Sequence, residues 1–153
     1  MLRLTASVLA AACALALVTA FTAQYVFGLM PCNLCLIERV PFALAGLLGG
    51  AALVSRRHRA TLVMLAGVVL LVNGGIAFYH VGVEQHWWKS AVCAMAEGAP
   101  LNVADLAAAM SRPAEVPCDQ PAWAFHGITF AAMNIIYSTG LGALAVVLAR
   151  RKR

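Results

Sequence analysis

Residues 29–50 read LMPCNLCLIERVPFALAGLLGG, and this stretch decides how the chain is to be understood. Two cysteines at Cys-x-x-Cys spacing, Cys32 and Cys35, stand at the mouth of a long apolar run, and the charged pair Glu38 and Arg39 follows at once. The uninterrupted apolar part, residues 40–54, would rise only about 22 Å as a helix, against a hydrocarbon thickness of about 30 Å. A helix that spans must therefore begin near Cys35, which puts Glu38 and Arg39 one turn inside the outer surface. A charge at that depth costs less than the roughly 2.5 to 3.5 kcal/mol found at a bilayer centre, and a charged pair held there points to function.

The rest of the chain supports a membrane reading. Of its 153 residues 63% are hydrophobic and 11% charged, where a soluble domain carries about 25% charged residues, and the mean hydropathy is +0.85. Four stretches are long enough to cross a bilayer: residues 4–27, 36–54, 60–79 and 123–149. The expectation is an all-α, integral membrane four-helix bundle, one domain over residues 1–153, with a long outer loop at 80–122. No repeat, linker or low-complexity tract divides it.

The net charge of +5 does not point to nucleic acid, because most of the basic residues sit in short segments beside the apolar runs: Arg3, SRRHR at 55–59, which includes His58, and RRKR at 150–153. Under the positive-inside rule all three are cytoplasmic, as an even number of crossings requires. The six acidic residues and four of the five cysteines, Cys32, Cys35, Cys93 and Cys118, fall on the opposite side or at its edge. In a bacterial cell that side is the periplasm, where disulfides persist. The first twenty residues also resemble a signal peptide cut after Ala20, but the apolar run continues through Phe27, and removal would leave three crossings. Cys13, in mid-helix, reads as a small core or lipid-facing residue.

Within the outer loop, PLNVADLAAAMSRP at residues 100–113 carries helix signals. Asn102 can cap, Asp105 follows at the third position, Leu101 can staple on Leu106, and Pro113 ends the run. Val103, Leu106, Ala107 and Met110 share a face, so a short interfacial helix is expected, lying on the membrane or on the bundle. Trp87 and Trp88 fit the interfacial aromatic belt.

Cys35 is placed to be a thiolate: the first turn of a helix favours an anion, and Arg39 follows four residues later on the same face. Cys32 can close a vicinal disulfide with it. A Cys-x-x-Cys motif is also half a zinc site, but no second close ligand pair exists, so no metal is expected.

Taken together, PCNLCLIER at residues 31–39, YHVG at 79–82, the second cysteine pair before the last helix and the four crossings resemble the DsbB family of membrane thiol oxidases. The resemblance covers nearly the whole chain, and the Cys-x-x-Cys precedes the loop cysteines, the reverse of the vitamin K epoxide reductase bundles. It implies a protein-dithiol:quinone oxidoreductase of the bacterial inner (cytoplasmic) membrane. Both termini would be cytoplasmic and the redox loops periplasmic; the partners would be a DsbA-like thioredoxin-fold protein, membrane lipid and the quinone pool, with ubiquinone or menaquinone as cofactor. It further implies that Cys93 exchanges with the partner, that Cys118 exchanges with Cys32, and that Cys35 is released to meet the quinone, with Arg39 and His80 at the quinone site. A partner of that class is a strong oxidant, known to lie at about −120 mV, whereas structural disulfides lie below about −300 mV. The gap of about 180 mV is roughly 8 kcal/mol uphill for two electrons, so the acceptor must lie outside the polypeptide.

Two features depart from a plain match. Pro41 lies early in the second helix, and the alanine- and glycine-rich segment between Cys93 and Cys118 does not follow the family pattern. Glu38 reads as a residue that orients neighbours or snorkels, and His126 as an interfacial histidine. The rival classes are a membrane scaffold with two permanent disulfides, which leaves Arg39 without a task, and an electron importer, which would need cytoplasmic redox cysteines beyond Cys13.

Overall fold

The computed structural model describes residues 1–90, 92–93 and 116–151. Among these, four helices are long and apolar enough to cross a membrane: α1 (Leu2–Tyr25), α2 (Asn33–Val54), α3 (Arg59–Glu84) and α4 (Phe130–Arg150). The all-α membrane bundle expected from the sequence is present, and the chain is a multi-pass membrane protein. The interfacial helix expected at residues 100–113 lies outside the described residues.

The helices pack through small residues. In lipid there is no hydrophobic gain from pairing helices, so close backbone approach and van der Waals contact hold them together. Gly49 of α2 lies against the backbone of Ala6 and Ala10 on α1, and Gly46 against Cys13. Between α3 and α4 the approach is tighter: a Cβ on Gly67 would stand 2.9 Å from the Gly142 carbonyl oxygen, and one on Gly142 2.8 Å from that of Gly67. Leu9, Cys13, Ala45, Val63, Ala66, Leu70 and Ala145 fill the shared core, while Leu47, Val54 and Ile136 stay outward, as a lipid-facing surface requires. Cys13 is thus a core residue.

Two boundaries differ from those expected by five residues or more. Helix α3 continues to Glu84 instead of stopping at residue 79, because 26 residues rise about 39 Å, so its last turns stand beyond the hydrocarbon, where polar side chains are tolerated. It ends in a Schellman turn: His86, at φ +59°, donates to the Val83 carbonyl at 3.0 Å, and Trp87 to that of Gly82 at 2.8 Å. The chain then doubles back, and Trp88 covers Gly82, stacks on Tyr79 and donates to the Tyr79 carbonyl at 3.0 Å. A Cβ on Gly82 would overlap the indole. Gly82→Ala is therefore expected to expel Trp88 and destabilise this corner by about 1 to 3 kcal/mol; tryptophan emission of the variant in detergent should shift to the red, and an unchanged spectrum with unchanged thermal stability would refute it.

At the other boundary, α4 starts at Phe130 instead of residue 123. The preceding residues form a two-stranded hairpin, β1 (Ala124–Phe125) and β2 (Ile128–Thr129), with Phe125 paired to Ile128. His126 and Gly127 make its two-residue turn at φ +50° and +82°, the left-handed pair that matches strand twist. Thr129 then caps α4, its hydroxyl oxygen accepting from the Ala132 N–H at 3.2 Å.

Helix α2 begins at Asn33 and runs unbroken through Pro41. Its cap is Cys32, in extended backbone (φ −75°, ψ 170°), whose sulfur accepts the Cys35 N–H at 3.2 Å. A cysteine in the position usually held by serine or aspartate puts sulfur where the unpaired N–H groups of a helix start converge.

Candidate active site

The N-terminal ends of α2 and α4 and the C-terminal end of α3 hold the polar side chains. Cys32 and Cys35 lie with their sulfurs 2.6 Å apart. His80 reaches them from α3, its Nε2 3.5 Å from the Cys32 sulfur. The other ring nitrogen, Nδ1, is 2.7 Å from Glu38 Oε1. Glu38, Cys32 and His80 are all buried. Glu38 Oε2 accepts from Asn134 Nδ2 of α4 at 2.7 Å, so both oxygens of a carboxylate near the membrane mouth are satisfied.

The polar chain extends inward. Asn134 Oδ1 accepts from the Ser138 hydroxyl at 2.6 Å and from Asn73 Nδ2 at 3.3 Å. Asn73 also donates to Ser138 at 3.0 Å. Toward the outer surface, Glu84 Oε1 lies 3.9 Å from His80 Nε2, and its other oxygen accepts the Thr129 hydroxyl at 2.6 Å.

The loop cysteines are joined as a disulfide, Cys93–Cys118. Cys118 is buried and Cys93 half-exposed. Cys118 packs in one cluster with Cys32, Leu34 and Val83, against which Cys35 and Cys93 also lie. The two pairs, far apart in sequence, therefore share one packed cluster.

Arg39 turns to α1. Its Nη1 donates to Gln24 Oε1 at 2.7 Å, and the guanidinium sits 5.0 Å from the centre of the Phe21 ring. With Cys35, Glu38 and His80 it lines a cavity of about 330 Å³. The remaining wall is mainly apolar, from Leu15 and Ala20 of α1 to Phe42, Trp123, Phe130 and Tyr137. An apolar cleft with a few polar groups gathered at one wall fits a flat, two-carbonyl headgroup on an isoprenoid tail. If a quinone binds there, Arg39 and His80 are the residues present to hold it.

The sequence pattern favoured Cys35 as the stabilised thiolate. In the structure the helix-start N–H donates to the Cys32 sulfur instead, and Arg39 is engaged with Gln24. Hydrogen bonds from the Cys35 thiol and from the N–H groups of Cys35 and Leu34, working against burial, hold the Cys32 thiol below its ordinary range. Ligand atoms of Cys32, Cys35 and His80 lie within 4.8 Å of one another. Among the described residues they make three donors where structural zinc takes four, and the sulfurs are closer than the about 3.7 Å kept by two thiolates on one tetrahedral zinc.

Sequence reasoning missed Asn73, Glu84, Asn134, Ser138 and Gln24. Spacing offered one signal: Asn73, His80 and Glu84, at i, i+7 and i+11, share a helical face once α3 is extended.

A membrane bundle with a buried Cys-x-x-Cys at one helix mouth, packed against a second, loop-borne cysteine pair, is a thiol–disulfide membrane protein. The family model for disulfide bond formation protein DsbB matches residues 2–148. The chain belongs to the DsbB family, and its place is in disulfide bond formation at a membrane. It is similar to disulfide bond formation protein B of Aromatoleum aromaticum (strain DSM 19018 / LMG 30748 / EbN1), 27% identical over 139 residues, covering 85% of this chain and 81% of that protein. It is also similar to an uncharacterised protein of Rickettsia prowazekii (strain Madrid E), 27% identical over 125 residues, covering 80% of this chain and 73% of that protein. No solved structure matches the chain significantly.

Proposed function

We propose that the protein is a protein-dithiol:quinone oxidoreductase that reoxidises a DsbA-like protein at the outer face of a bacterial inner membrane. The observation that carries this reading is the division between the two sulfurs of Cys-x-x-Cys: Cys32 is buried in the cluster that holds Cys118 and stays off the apolar cavity, while Cys35, at the edge of that cluster, opens on the cavity. One sulfur serves thiol exchange and the other an acceptor dissolved in lipid.

In this mechanism the half-exposed Cys93 is attacked by the partner's thiolate, giving a mixed disulfide. Cys118, released, attacks Cys32 of the Cys32–Cys35 disulfide and expels Cys35. The partner's second thiol resolves the mixed disulfide and frees Cys93, which closes on Cys118 and expels Cys32, a good leaving thiol with its lowered pKa. Cys35 is then the free sulfur at the cavity wall. A bound quinone supplies a two-electron, two-proton sink. Arg39 offers fixed positive charge where negative charge develops, and Gln24 and Phe21 hold it there. The apolar wall excludes water. A scaffold with two permanent disulfides would have no use for a cavity opening on Cys35.

The test is direct. Purified protein in detergent, mixed with a reduced DsbA-like protein and ubiquinone, should bleach the quinone absorbance, one quinone per disulfide formed; no change in absorbance would overturn the reading. Orientation is checked separately: reporter fusions after Arg57 should be cytoplasmic and those after Gly98 periplasmic. A cytoplasmic reporter at Gly98 would put the loop disulfide in a reducing compartment and end the oxidase reading.

A further inference from the structure

Oxidation of the Cys32 and Cys35 thiols breaks two S–H bonds and forms one S–S bond. Two electrons and two protons leave, and a quinone becoming quinol takes up the same number. Cys35 faces the cavity and can pass its proton there. Cys32 does not line the cavity, so its proton needs an acceptor within the protein.

Among the described residues the nearest base to that sulfur is His80 Nε2, at 3.5 Å. An imidazole accepts at Nε2 only when Nδ1 carries the hydrogen, and a partner on Nδ1 decides that tautomer. Here the partner is Glu38 Oε1, an acceptor when ionised, at 2.7 Å. What orients Glu38 is Asn134. Its Oδ1 is already taken by Ser138 and Asn73, so its Nδ2 must face the carboxylate. Four side chains on three helices thus point a lone pair at Cys32.

We propose that Glu38, anchored by Asn134, is a positioning residue that holds His80 as the proton acceptor for Cys32. The inference rests on the thiol oxidase reading above and gives Glu38 a task that its sequence position left open. As the Cys32 S–H bond breaks, the proton passes to His80 Nε2, the sulfur keeps the electron pair that joins Cys35, and the imidazolium is paired with Glu38. One of the two protons is then held beside the cavity.

Among the described residues the groups facing this relay are few. Helix α2 contributes Cys35, Glu38 and Arg39. From α3 comes Glu84, whose Oε1 at 3.9 Å is farther from Nε2 than the sulfur is. Helix α4 brings only Asn134 and Tyr137, whose hydroxyl donates to the Ala12 carbonyl at 2.9 Å, and α1 brings no ionisable side chain to the cavity wall. The loop disulfide is uncharged.

The experiment reads Cys32 without any quinone. Full-length protein is reduced, freed of quinone, and alkylated with iodoacetamide from pH 5 to 10, and modification of Cys32 is quantified by mass spectrometry. Glu38→Gln keeps the shape but not the charge. It relieves the carboxylate's own repulsion of a Cys32 thiolate, but loss of the His80 pairing outweighs that, and the midpoint for Cys32 should rise by at least one pH unit, a tenfold loss of thiolate at fixed pH. Glu38→Asp should recover part of this shift. Asn134→Leu, which leaves both Glu38 and His80 in place and suits an apolar bundle, should give a smaller shift of the same sign, and remains informative if Glu38→Gln does not fold. Midpoints unchanged in folded Glu38→Gln, or in Asn134→Leu where that alone folds, would overturn the proposal. The shift in variants of a protein whose wild type bleaches no quinone would uphold this relay and overturn the quinone reading.

Discussion

Replacing Cys93 or Cys118 with alanine is expected to lower oxidation of a reduced DsbA-like protein by more than about 10³-fold, because each removes a sulfur on which a covalent step depends. The same variants should still reduce quinone when a small dithiol such as dithiothreitol reduces the Cys32 and Cys35 pair. A small thiol needs no relay through the loop, and the Cys35 side of the site is untouched by either change. Cys35→Ala should lose both activities. The argument rests on where the sulfurs lie: Cys93 is half-exposed, Cys118 is buried beside Cys32, and only Cys35 opens on the cavity. Single-turnover quinone bleaching with both reductants measures it. If dithiothreitol-driven bleaching is lost equally in all four single cysteine variants, the order of the relay is wrong.

The second large effect concerns Arg39. Its guanidinium is a planar fork, one nitrogen committed to Gln24 and the plane resting on Phe21, and it brings fixed charge to the cavity. Arg39→Ala removes that charge and should cut quinone turnover by about 10²-fold, the cost usual for losing one preorganised donor to developing negative charge. Arg39→Lys keeps a charge but cannot bond Gln24 and face the cavity together, so it should fall between. Gln24→Leu leaves the charge and frees the fork, which should weaken quinone affinity more than turnover. Exchange of Cys93 with the protein partner should stay near normal in all three. An Arg39→Ala protein with unchanged quinone affinity and turnover would reduce the arginine to an interfacial anchor.

Several parts of the site could be read from residues alone, and the reasons differ. The Cys-x-x-Cys at the mouth of α2 was legible because its meaning depends on local position: a helix start favours negative sulfur wherever it occurs. Which sulfur gains was not legible. The first-turn argument favoured Cys35, but the extended backbone at Cys32 makes that residue the cap and points its sulfur at the Cys35 N–H. Arg39 was identifiable as a candidate from its depth, while its engagement by Gln24 depends on how α1 lies beside α2. Glu38 is the sharper case. Its sequence position said only that a charge stood one turn inside the membrane, and its partners are 42 and 96 residues away.

The sequence by itself determined that this is a multi-pass membrane protein with four apolar runs of bilayer length. Apolar runs of bilayer length leave a chain in lipid no other way to satisfy its backbone than as helices. The tertiary structure alone decided that α3 carries His80 and Glu84 as helical residues, that a hairpin precedes α4, and that Asn134 faces Glu38. Those outcomes turn on close approach between helices, where the absence of a Cβ at Gly67, Gly142 and Gly82 sets which faces meet. Hydropathy measures how a residue prefers lipid to water, and it is indifferent to which neighbour a buried amide or carboxylate will find.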